Sequence, residues 1–121
     1  MTTNGKQLTL TDVLAIDDLP VEWCYIEQWG GSVGVRTLRA DERAEIERQF
    51  SKKRPGEDPG AFRRVLLLST LVNADKTPFL PDDECAKAFM KKNAEAVETL
   101  VEKALSINGF RAKDVEALEK N

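Results

Sequence analysis

At 121 residues, 41% of them hydrophobic and 32% charged, the chain holds material for one domain with one modest core and too little for two. Its 18 Lys and Arg against 21 Asp and Glu leave a net charge of -3. That is the wrong balance for a protein that binds by neutralising phosphates, so no nucleic-acid partner is expected. Histidine is absent, which removes the commonest general base and metal ligand, and two cysteines are too few for a disulfide framework or a zinc knuckle.

Taken in order, residues 1–20 read as a leader. Met1 to Gly5 lacks the apolar stretch of a signal peptide, and no run anywhere approaches the roughly 18 apolar residues of a membrane span. The expectation is a cytoplasmic protein without a membrane partner. Gln7 to Leu19 forms a short helical segment, with Leu10, Val13 and Leu14 at helical spacing, and Pro20 ends it.

A single α+β domain is expected over 21–110. Val21, Trp23, Tyr25 and Trp29 alternate with Glu22, Cys24, Ile26 and Gln28 as the two faces of a strand. Gly30-Gly31 suits a two-residue type I′ turn, because both central positions need φ > 0, and Val33 and Val35 lie on the returning strand. A hairpin alone is marginal in water, so its apolar face has to pack on helices, four to five of which follow.

Asp41 to Phe50 is a charged helix with a thin stripe of Ile46 and Phe50. Residues 51–60, "SKKRPGEDPG", break the pattern with two Pro, two Gly and five charges, and read as a mobile loop. Ala61 to Val72 is apolar nearly all round, with Phe62, Val65, Leu66, Leu68, Leu71 and Val72 available to bury, and is the expected central helix. After a turn or small hairpin in "NADKTPFLP", Pro81 suits a first helical position and Asp82, Asp83 and Glu84 the positive end of the helix dipole. Cys85, Ala88 and Phe89 are the expected contacts of that helix. Asn93 then caps the best amphipathic pattern in the chain: Val97, Leu100, Val101, Ala104, Leu105 and Asn108, stopped by Gly109. Residues 111–121 form a weakly anchored tail, a short helix held by Val115 and Leu118.

Few motifs carry chemistry. Asn73, Asp75, Thr77 and Glu84 fall at positions one, three, five and twelve of a calcium loop. The sixth position requires a glycine turn and is Pro78, so no metal is expected. Asp17-Asp18 and Asp82-Asp83-Glu84 are sequence neighbours that do not face one another on a helix. Ser69 and Thr70 have no base nearby and bond back to the preceding turn. Neither catalytic residues nor a cofactor are expected. Trp23, Tyr25 and Trp29 stand apart. Aromatics on a hairpin ordinarily cap a core, yet Trp and Tyr also dominate interface hot spots, and an edge strand beside them invites a partner's strand. The expected arrangement is a lid over the Leu66/Leu68/Leu71 helix, with its free edge or Trp29 rim as the contact.

The order of features resembles the tail assembly chaperones of long-tailed bacteriophages with non-contractile, siphovirus-type tails. The resemblance rests on "EQWGG" before a strand "SVGVRTL", a charged helix opening "ADERAEIE", the run "RRVLLLSTLVNADKTPFL", an acidic helix start and a last amphipathic helix ending "ALSINGF". The matching positions are Trp29, Gly30, Gly31, Arg36, Glu42, Arg43, Arg64, Val72, Asp75, Lys76, Asn108 and Gly109. Two depart from the pattern: Arg39 stands where Thr or Ser often caps the charged helix, and Asp75-Lys76 stands where Asp-Gly is frequent. The resemblance implies a non-enzymatic assembly factor of the host bacterial cytoplasm, in its short form and absent from the mature virion. It would bind the tape measure protein, keep it soluble, and support polymerisation of the tail tube around it. A longer, frameshifted form would recruit the tail tube protein. Trp23, Tyr25, Trp29, Gly30, Gly31 and Arg36 are the partner-binding residues this reading selects, with self-association as a further contact. The alternative is a small structural or head-tail connector subunit retained in the particle.

Overall fold

A computed structural model of the chain describes residues 6–51 and 60–120, and shows an α+β fold. Residues 52–59 of the expected mobile loop lie outside the described residues. Strands β1 (Val21–Ile26), β2 (Gly31–Arg36) and β3 (Leu71–Val72) form an antiparallel sheet in the order β1-β2-β3. Helices α1 (Leu10–Ala15), α2 (Ala40–Ser51), α3 (Ala61–Thr70), α4 (Asp83–Phe89), α5 (Ala94–Ile107) and α6 (Ala112–Lys120) account for most of the rest.

The hairpin differs from the expected two-residue turn. Ile26 pairs with Gly31, and the four residues between them form a 3-10 turn, Glu27–Trp29, closed by Gly30 at φ 65°. Only Gly30 takes the left-handed conformation; Gly31 is the first residue of β2. The Gly30 N–H donates to the carbonyls of Ile26 and Glu27, a helical closure that a type I′ turn cannot make.

The sheet buries the face opposite to the one the aromatics suggested. Cys24, Ile26, Val33 and Val35 point into the core, whereas Trp23 and Tyr25 are 52% and 63% exposed. The lid is therefore aliphatic, and it rests on α5, whose Leu100, Val101 and Ala104 form its buried stripe. The Leu66/Leu68/Leu71 helix does not lie under it. Instead α3 packs among α2, α4 and α5, burying Phe62, Leu66, Leu67 and Thr70. It stops at Thr70; Leu71 and Val72 turn extended and pair with Val35 and Gly34 as the third strand. β-branched Val72 fits a strand, and Thr70 and Ser69 satisfy their hydroxyls on the carbonyls of Leu66 and Val65.

Three helix ends follow the capping chemistry. Asn93 accepts from Ala96 N–H, Asp82 from Cys85 N–H, and Gly109 ends α5 at φ 69°. Asp82 is thus the cap of α4 and Pro81 lies just outside it, two residues before the first helical position expected of it. On α4 the inward residue is Ala86, with Phe89 half-buried and Cys85 and Ala88 exposed. Edge-to-face contacts Phe50–Phe62 and Phe62–Phe110, at 5.5 and 6.1 Å, join α2, α3 and the segment after α5. On α6, Leu118 is buried and Glu119 pairs with Arg63.

Helix α1 stands apart. Thr9 and Asp12 cap it reciprocally, each side chain bonding the other's backbone N–H. None of its residues is buried.

Candidate functional site

Residues opposite one another in an antiparallel sheet share a face, and the faces alternate along each strand. The pairs Tyr25–Ser32, Trp23–Gly34, Val21–Arg36 and Gly34–Val72 therefore place Trp23, Tyr25, Arg36 and Val72 together on the outer face. Small partners make room for the rings. The end of the Trp23 indole lies over Gly34, close enough that a Cβ there would stand 3.3 Å from it. No strand pairs with the other edge of β1 among the described residues, whereas the far edge of β3 is met by Pro78 and by the Phe79 N–H, which donates to the Leu71 carbonyl.

Arg36 and Val72 also line a cleft of about 730 Å³ between α2, α3 and the turn after β3. Its floor is apolar, with Ile46, Val65, Leu68 and Val72; Arg39, Glu45 and Lys76 stand at its rim. The outer sheet face and the cleft adjoin at Arg36, with buried Val72 beneath. Arg36 is not a free cation on it. Its guanidinium donates two hydrogen bonds, 2.8 and 2.7 Å, to the Glu42 carboxylate, the bidentate geometry Arg favours. These bonds hold the Glu42 carboxyl down to about 2. Glu42 also accepts from the Arg39 N–H, so it supplies one half of a capping box at the start of α2, where Arg39 has no oxygen to supply the other.

The segment 73–84 is a turn and a helix start. Asp75 accepts from the N–H and hydroxyl of Thr77, and Val72 bridges Pro78. Glu84 lies on α4 beside Lys87. Among the described residues no three His, Cys, Asp or Glu side chains are placed to share a metal ion. Burial pushes the Cys24 thiol up, and a hydrogen bond with Asp82 pushes up that of Cys85. Among the described residues no helix is long and apolar enough to cross a membrane.

Of the six partner-binding residues selected from the sequence, Trp23, Tyr25 and Arg36 share the outer face. Trp29 does not. It is half-buried, edge-on to Phe89 at 5.5 Å, and Phe89 meets Phe79 at 6.1 Å. Gly30 and Gly31 shape the turn that carries it. Trp29, Phe79, Ala88, Phe89 and Lys92 line a second, apolar hollow of about 560 Å³. Sequence reading missed Phe79 and the half-buried Val65 and Leu68 of the cleft as surface residues, whereas Val72 and Ile46 are buried as their apolar pattern suggests; the Val72–Pro78 bridge was the available signal for Phe79.

The chain matches no family model, no curated protein and no solved structure.

Proposed function

We propose that the chain is a tail assembly chaperone of a siphovirus-type bacteriophage, binding the tape measure protein and keeping it soluble while the tail tube polymerises around it. The observation that supports this most directly is the uncovered aromatic sheet face running into an apolar-floored, charge-rimmed cleft. Such a surface suits an amphipathic helix laid in a groove, its apolar side on half-buried Val65 and Leu68 and its polar side at the rim. Exposed Trp and Tyr beside the groove are the residue types that anchor interfaces. Contact along a shallow surface, without a closed pocket, fits a client that has to be released. The tail tube protein is recruited by a longer form of the chain, and the protein works in the host cytoplasm and leaves before the virion matures.

The test is co-expression with the long helical protein encoded downstream. Soluble client that co-purifies with this chain, and is lost when Tyr25→Ser and Leu68→Asp are introduced, supports the reading. Unchanged client solubility with no co-elution overturns it, and finding the chain in purified particles instead establishes the connector reading.

A further inference from the structure

Leu8, Leu10, Val13, Leu14 and Ile16 are 45–75% exposed, and among the described residues no hydrogen bond or ion pair ties α1 to another element. A capped helix with an apolar stripe and nothing beneath it needs a surface elsewhere. The hollow around Trp29, Phe79 and Phe89 is lined mainly by apolar side chains, and its charged lining residue is Lys92. Charge is matched as well. Asp17 and Asp18 follow α1 directly; Lys91 and Lys92 end the turn after α4; none of the four makes an ion pair among the described residues.

Reach disfavours the molecule's own hollow. Thr37 donates to the Pro20 carbonyl from both its N–H and its hydroxyl, pinning the chain there. The free linker is residues 16–19, at most about 14 Å when fully extended. An Asp17 turn, bonded to the Leu19 N–H, shortens it further. Trp29 lies beyond the far end of six-residue β1, roughly 20 Å along the strand. Helix α1 would meet its own hollow only by reversing at Pro20 with its linker straightened; a neighbouring molecule imposes neither condition.

We propose that α1 of one molecule docks in the Trp29/Phe79/Phe89 hollow of a second copy, with Asp17 and Asp18 against Lys91 and Lys92. The two surfaces of this contact are different, so it is head-to-tail and continues into a ring or an open chain of subunits. It uses neither the outer sheet face nor the cleft, and is independent of the client reading.

The experiment is sedimentation velocity of the full chain over a concentration series, with alkylation of Cys85, which lines the hollow, as a second readout. Buried Cys24 serves as the internal control. Expected is mass that grows with concentration, and Cys85 alkylation that slows with it, about tenfold where roughly nine-tenths of hollows are filled. Leu14→Asp and Ala88→Glu should each give monomers alone and a 1:1 dimer when mixed, since one keeps the hollow and the other keeps α1. Reversing Lys91 and Lys92 to Glu should weaken association, and reversing Asp17 and Asp18 to Lys should restore it. A wild-type chain that stays monomeric overturns the proposal. So does Cys85 protection that ignores concentration, or a mixture of the two variants that remains monomeric.

Discussion

Gly34→Ala tests whether the close approach of β3 to β2 sets the outer face. A Cβ at position 34 would stand 2.9 Å from the Val72 carbonyl oxygen, 3.2 Å from Val72 Cγ2 and 3.3 Å from the Trp23 ring. The ring can swing away because it is half exposed. The carbonyl cannot move without parting the strands, and β3 pairs with β2 at only two positions, Gly34↔Val72 and Val35↔Leu71. Overpacking of this kind costs about 1–3 kcal/mol. In a domain of this length that lowers Tm by roughly 4–12 °C. Urea and thermal unfolding followed by circular dichroism measure it directly. The companion Trp23→Ala/Gly34→Ala double variant separates the two contacts, because removing the ring leaves the carbonyl where it is and should not restore stability. A Gly34→Ala protein as stable as the parent would refute the geometry. Full rescue by Trp23→Ala would refute the assignment to Val72.

The Glu42 carboxyl lies at about 2 against an ordinary 4.5, so the folded state binds fewer protons than the unfolded one. Its stabilisation is complete above about pH 4.5 and is lost as pH falls toward 2. With its side chain 25% exposed, discounting for solvent leaves about 1–2 kcal/mol. Glu42→Gln should lower stability at pH 7 by that amount and flatten its pH dependence between 5 and 2, and parallel profiles for the two proteins would count against the pair. Asn108→Ala removes the side-chain acceptor of the buried Leu38's N–H and two further bonds, to Ala104 and Arg36 carbonyls, and should cost about 1–3 kcal/mol in urea unfolding. Lys76 sits at φ 70°, so Lys76→Gly should raise stability, by up to about 1 kcal/mol, in the same assay. Tyr25→Ser, at a position 63% exposed, should change unfolding by less than about 0.5 kcal/mol while reducing client co-purification.

Local chemistry was the legible part of the chain. Asn93, Gly109 and the Ile46/Phe50 stripe act through neighbours within one helical turn, and each stands where its residue type predicts. The end of α3 was not legible, because Leu71 and Val72 continue an apolar helical pattern as readily as they begin a strand. What turns them extended is a pairing with Gly34 and Val35, some 36 residues earlier. Asn108 reads as a helix stop, yet its side chain reaches the N–H of Leu38 across 70 residues of sequence. Contacts of that range leave no periodic trace. The candidate surface has the same character: the cleft joins Arg36, Ile46, Leu68 and Pro78, which share neither spacing nor motif.

The period-two alternation of β1 identifies two faces but does not say which one is buried. Trp23 and Tyr25 carry more apolar area than Cys24 and Ile26, and on hydrophobicity alone they belong inside. The helix opposite decides otherwise. Leu100, Val101 and Ala104 of α5 offer a narrow buried stripe, and Val33, Val35 and Ile26 are buried on the sheet face that meets it. Two indole- and phenol-sized rings in the same place would hold the sheet off α5. On the outer face Gly34 and Ser32 stand opposite Trp23 and Tyr25, and the end of the Trp23 indole lies over Gly34. That separates the two faces by residue size: aliphatic side chains hold the sheet to the helices, and small ones across from Trp23 and Tyr25 leave the rings room outside. Enlarging exposed Ser32 therefore alters the outer face alone, whereas enlarging Gly34 or Ala104 disturbs the fold itself.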